Sequence, residues 1–170
     1  MLADKPQQRF NDGRVDAAGR LVGCGPGSFA GVRIAIAAAR GLSLGWSIPV
    51  RGFSTLALVA ASAADAIAAA DGALVVMEGG HGQWFVQPFA GDLSPVADVR
   101  SLLPGEAVTL STALVVGNRA DAFVALRGAG TAIAALPDAR AFPGLPAAAL
   151  RDDPTPIYGR APDAKPMATA

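Results

Sequence analysis

Apolar residues in this chain come in short blocks, and the spacing inside each block sets the element it predicts. Residues 21–24 make a largely apolar block of strand length that runs into the glycine-rich turn Gly25-Pro26-Gly27-Ser28. The pattern then changes to a helical one over 32–45, where Ile36, Ala39 and Leu42 recur at a spacing of three and Arg33, Ala37 and Arg40 fall on a neighbouring stripe. A second strand is predicted at 48–52, and Ser54 is placed to cap a helix over 55–70. Strand and helix alternating in this way point to parallel pairing in a sheet covered by helices.

Asp71-Gly72 breaks that pattern. Two strands at 73–77 and 83–89 flank Gly79-Gly80-His81-Gly82 and read as an antiparallel hairpin with a loose turn. A connector over 91–105 holds Pro95 and Pro104; a strand at 113–116 ends at Gly117-Asn118, and a helix over 120–126 precedes a short apolar segment at 131–136. Prolines at 137, 143, 146, 154, 156, 162 and 166 restrict helix in the tail to a turn or two around 147–150. Residues 1–20 lack apolar periodicity and read as a loose leader. The predicted organisation is therefore a leader at 1–20, a first unit at 21–70 and a second at 71–170 with a proline-rich tail.

Composition narrows the class. With 170 residues and 52% hydrophobic content the chain can bury a substantial core. Charged residues are only 16%, against about 25% in an average soluble domain, and alanine fills much of the difference, which favours close helix packing and partner contact. The 14 basic and 14 acidic residues cancel, so there is no bulk electrostatic attraction to phosphate backbones and strong direct nucleic-acid binding by this chain alone is not expected. Cys24 is the lone cysteine and His81 the lone histidine, which excludes an internal disulfide and a cysteine- or histidine-rich metal site. Residues 1–8 carry Asp4, Lys5 and Pro6 instead of the apolar core of an export signal, and the alanine-rich stretch 56–70 is interrupted by Asp65. No membrane association and a cytoplasmic location are the expectations.

Gly25, Gly27, Ser28 and Gly31 form the candidate anion site. Glycines permit close backbone approach, and amides at a helix start can face an anion. The spacing matches neither a Walker loop, because Val32-Arg33 follow the last glycine where Lys-Ser/Thr belongs, nor a dinucleotide fingerprint, because three residues separate Gly27 from Gly31. The plainer alternative is a turn that packs a strand against a helix, with Ser28 as its cap. Nothing in the sequence brings Cys24 and His81 together as nucleophile and base, and Cys24 at the end of an apolar strand reads as a small buried hydrophobe. Glu78, Asp92 and Asp98 are candidate acids or Mg ligands if nucleotide binds. No catalytic residue and no metal set are assigned. Trp46 and Trp84 read as packing residues, and Tyr158 and Arg160 as anchors for the chain end or partner contacts.

Residues 25–34, with Ala38, Arg40-Gly41-Leu42, Ile48-Pro49-Val50 and Gly52-Phe53-Ser54-Thr55-Leu56, resemble the bacterial TsaB (YeaZ) family. Weaker similarity runs through 73–89, through Val115-Val116-Gly117-Asn118, and into 156–166. Ala30 and Ala35 depart from the family's threonine and glycine, and Met77-Glu78-Gly79-Gly80-His81-Gly82 stands where the family favours an Asp-Ala-Arg stretch. Its opening Ile-Asp-Thr-type strand, two further strands and first helix have no counterpart, from which an exposed sheet edge and a start codon further upstream, or a truncated gene, are expected. The resemblance implies an α/β, two-lobed actin-like and Hsp70-like (ASKHA) fold with mixed sheets and an incomplete first lobe. It also implies a non-catalytic scaffold subunit of the machinery that puts threonylcarbamoyladenosine into tRNA beside the anticodon. On that mapping the chain pairs with a TsaD-like transferase through Val32, Arg33, Ile36, Ala39 and Arg40, with a TsaE-like ATPase in the larger complex and a homodimer as a further possibility. ATP and Mg would belong to the partner subunits. A small phosphate- or nucleotide-binding hydrolase or peptidase-like enzyme of the same superfamily is the alternative.

Overall fold

A computed structural model describes residues 15–16 and 19–159. The rest of the leader, and the tail from Arg160 onward, lie outside the described residues. The chain builds two mixed sheets. The first has the order β1-β2-β3-β9, from β1 (Val15–Asp16), β2 (Gly19–Gly23), β3 (Val50–Phe53) and β9 (Leu150–Arg151). β2 and β3 are parallel, as the alternation of strand and helix predicts, while β1 and β9 run antiparallel to their neighbours. The second sheet has the order β6-β5-β4-β7-β8, from β4 (Gly72–Glu78), β5 (Trp84–Ala90), β6 (Arg100–Leu102), β7 (Leu114–Val116) and β8 (Thr131–Ile133). The predicted hairpin is β4 and β5, in register from Gly72 opposite Ala90 to Glu78 opposite Trp84.

Helix α1 (Phe29–Trp46) starts three residues before the apolar pattern predicts, because Ser28 caps it and accepts from the Gly31 amide at 3.4 Å. The predicted helix over 55–70 is two pieces, α2 (Thr55–Ala61) and α3 (Ala64–Ala69). Ser62 ends the first piece; its hydroxyl donates back to the Leu58 carbonyl at 2.9 Å, a local bond that bends helices, and Ala63 leaves helical geometry with φ −126°. The predicted connector over 91–105 contains β6 and the beginning of a short α4 (Pro104–Ala107), and α5 (Ala120–Arg127) follows β7.

The strand β4 is central in its sheet and buried on both faces. Leu74 and Val76 join Trp84, Val86, Val115 and Phe123 under α5, whereas Ala73 and Val75 join Phe89, Leu56, Val59 and Ile67 under α2 and α3. Helix α2 is apolar all round because it is covered on two sides: Leu56, Val59 and Ala60 face the second sheet, and Leu58 packs with Leu21 and Phe53 of the first. It is thus the element through which the two sheets share a core.

The tail returns to the first sheet. β9 pairs with β3, after which the Ile157 amide donates to the Cys24 carbonyl and the Gly159 carbonyl accepts from the Ser101 amide in β6, each at 2.7 Å. Residues 152–159 therefore form a strap from the first sheet across to the edge of the second. Gly25, with φ +96°, permits that approach: a Cβ there would lie 2.7 Å from the Ile157 carbonyl oxygen.

Candidate functional site

The glycine turn is committed to the fold. Gly25 and Pro26 are buried, Gly27 and Ser28 are exposed, and Gly31 is half-buried. The Gly25 carbonyl accepts from Thr55 at 2.8 Å, which fixes the turn against the start of α2. At the start of α1 the amides of Gly31 and Val32 are both held by Ser28, through its hydroxyl and its carbonyl. The first is a capping bond and the second is the first hydrogen bond of the helix, so both donors are used by the start of α1.

Helix α1 presents three stripes. Val32, Ile36 and Ala39, set as partner contacts by the sequence, are turned inward with exposures of 6%, 5% and 8%, and pack with Ala35 against Val22, Cys24 and Ile157. Their apolar side chains are used by the fold itself. Arg33 and Arg40 are exposed but engaged by the strap. The Arg33 guanidinium lies over the Phe29 ring at 3.8 Å and its Nε donates to the Tyr158 hydroxyl at 2.8 Å. Arg40 Nη2 donates to Asp153 at 2.8 Å and to the Pro154 carbonyl at 2.9 Å.

The third stripe is open. With about 3.6 residues per turn, Ala30, Ile34, Ala37, Ala38, Gly41 and Gly45 share one face, flanked by Leu42 and Leu44. Ile34 is 67% exposed and Leu44 85%, and a Cβ on Gly41 or Gly45 would meet nothing within 4 Å. Sequence reasoning missed this face by centring on Ile36. The small residues at Ala37, Gly41 and Gly45, four apart, are the signal that finds it.

The candidate chemistry stays dispersed. Cys24 is fully buried, and burial pushes its thiol pKa up. His81 lies exposed in the β4–β5 turn of the other sheet with φ +58°. Glu78 pairs with Arg119, and Asn118 accepts from the Glu78 amide at 2.8 Å. The Asp92 carboxyl is held below the usual carboxylate range by the Ser94 backbone amide. Asp98 lies apart, on a cleft between the sheets. Among the described residues no three His, Cys, Asp or Glu side chains gather where a metal could be held. Trp84 is buried and tilted against Phe123, while Trp46 at the end of α1 is 56% exposed. No helix among the described residues is long and apolar enough to cross a membrane.

Comparison with known proteins bears on this arrangement. The family model described as TsaD: tRNA N6-adenosine threonylcarbamoyltransferase matches residues 18–150. Comparison with curated proteins yields no match. Among the solved structures that share the fold are YeaZ from Pseudomonas aeruginosa and a protein from the same organism described as uncharacterized with similarity to peptidase YEAZ. Each is 22% identical with a TM-score of 0.59, over 74% of this chain and 62% of the other. The match thus spans less than two thirds of the length of those relatives.

Proposed function

We propose that this chain, which belongs to the family described as TsaD: tRNA N6-adenosine threonylcarbamoyltransferase, is a non-catalytic dimerisation and scaffold subunit that supports a transferase of that family in threonylcarbamoyladenosine modification of tRNA. The open stripe of α1 carries the reading. An 18-residue helix that keeps Ile34, Leu42 and Leu44 exposed around Gly41 and Gly45 has an apolar face without a partner among the described residues. Small residues let a second helix approach closely, and the leucines and isoleucine supply the apolar contacts that a buried interface core needs. The formal net charge of zero leaves the holding of tRNA to the partner. ATP and Mg act on the partner subunits, and a TsaE-like ATPase completes the larger assembly.

The test is co-expression with the same organism's TsaD-family transferase, affinity capture and size-exclusion chromatography with mass detection. A stable one-to-one complex is expected. Elution of this chain alone, with both proteins soluble and folded, overturns the reading. Thermal stabilisation of the isolated chain by ATP and Mg would instead favour the nucleotide-binding enzyme.

A further inference from the structure

Between the two sheets, the start of α2, the middle of β5, the loop before β6 and the chain around β9 line an open cleft of about 350 Å3. That size is at the small end of small-molecule pockets, which favour places where separate structural units meet. Ser54 and Gln87 line it, 7% and 4% exposed, and are locked together: the Ser54 hydroxyl donates to Gln87 Oε1 at 2.8 Å, and Gln87 Nε2 donates to the Ala97 carbonyl at 3.1 Å. A primary amide has two N–H donors, so Gln87 keeps one beyond its bond to Ala97. Val99 and Ile157 contribute apolar wall.

Arg151 and Asp98 lie on the same cleft. Around Arg151 the charges are otherwise used: Asp152 pairs with Arg51 at 2.7 Å and Asp153 with Arg40 at 2.8 Å. Neither Arg151 nor Asp98 forms an ion pair or a side-chain hydrogen bond with any described residue, and the two are too far apart to pair with each other. Among the described residues, one small cleft therefore offers an unpaired guanidinium from the strand of the first sheet and an unpaired carboxylate from the loop before β6.

We infer that this cleft binds a small zwitterion, a free α-amino acid, whose carboxylate pairs with Arg151 and whose ammonium group pairs with Asp98. A phosphate or other pure anion meets the like charge of Asp98, and a pure cation meets Arg151, whereas a zwitterion satisfies both. The spare Gln87 donor suits a ligand oxygen, and the apolar wall suits a short side chain. The inference stands on the cleft alone, so its failure and that of the partner reading are separate.

The test is a titration of the full chain with L-threonine and with glycine, followed by 15N–1H correlation spectra, in which the Gln87 side-chain amide reports on the cleft. Saturable shifts confined to cleft residues are expected. Arg151→Met and Asp98→Asn, both at exposed positions and checked for an unchanged thermal midpoint, should each weaken binding by about threefold or more. Acetate alone and ethylammonium alone should bind more weakly than either amino acid. Absence of saturation up to the solubility of the amino acids overturns the inference. So does unchanged affinity in Asp98→Asn, which would leave only an anion site.

Discussion

Arg33 Nε donates to the Tyr158 hydroxyl at 2.8 Å, fastening the end of the described chain to the helix that leaves the glycine turn. The Tyr158 ring also stacks on Phe29, with centroids 5.4 Å apart. Together with the bonds from Arg40 to Asp153 and Pro154, this puts the basic stripe of α1 under the strap. The strap thereby decides which face of α1 remains available.

Replacing Tyr158 separates its ring from its hydroxyl. Tyr158→Phe keeps the stack and loses one solvent-accessible hydrogen bond, so a cost of about 0.5 kcal/mol is expected. Tyr158→Ala loses the stack as well, and about 1–2 kcal/mol is expected. Urea unfolding of the two variants checks the order; equal costs would show that the ring contributes nothing.

Ile34→Asp and Leu44→Asp put a charge on the open stripe without touching the core. Stability should stay within about 0.5 kcal/mol of the parent, as for ordinary surface changes. Co-purification with the transferase should fall at least about tenfold, since an unpaired charge buried at an interface core is costly. Retained assembly in both variants would move the interface elsewhere.

Gly52 has no room for a methyl group, because a Cβ there would collide with Cys24 Sγ and lie 3.0 Å from Pro154 Cβ. Gly52→Ala should cost about 2–3 kcal/mol by overpacking. In the background of Cys24→Ala the same change should cost about 1 kcal/mol less, a coupling that a double-mutant cycle in urea measures directly.

Ser54 does two things with one hydroxyl: it accepts from the Leu56 and Ala57 amides to cap α2, and it donates to Gln87. Ser54→Ala should therefore cost about 2–3 kcal/mol, more than an ordinary cap, because Gln87 loses a buried partner too. A thermal midpoint lowered only as much as by a solvent-exposed cap substitution would separate the two roles and contradict the shared bond.

Burial raises the Cys24 pKa above the ordinary thiol value. The folded state therefore holds its proton more tightly than the unfolded state does. The resulting stability is complete below the unfolded pKa of about 8.5 and is lost as pH rises from there through the folded value. The difference in urea midpoint between about pH 7 and about pH 9.5 should shrink in Cys24→Ala, and a thiol reagent should label the parent only on unfolding.

The extent to which the sequence was legible follows the range of the forces involved. The β4–β5 hairpin, α5 and the parallel β2–β3 pair follow from local periodicity, and Ser54 as a cap follows from residue type at a helix start. The break between α2 and α3 does not, because alanine has high helix propensity on both sides and a single hydroxyl at Ser62 ends the run. β6 and β9, at three and two residues, carry too little pattern to stand alone and exist because a neighbouring strand offers its edge.

The sequence by itself determined the α/β class, the mixed pairing and the presence of an amphipathic helix after a glycine turn, since periodicity and turn chemistry are local properties of the chain. Which stripe of that helix turns inward was decided by tertiary structure. Val32, Ile36 and Ala39 fit against Val22 and Cys24, and Arg33 and Arg40 are met by a tail more than a hundred residues away in sequence. Ile34 and Leu44 are as apolar as the residues that were buried, and they stay in solvent because the sheet can cover only one side of a helix.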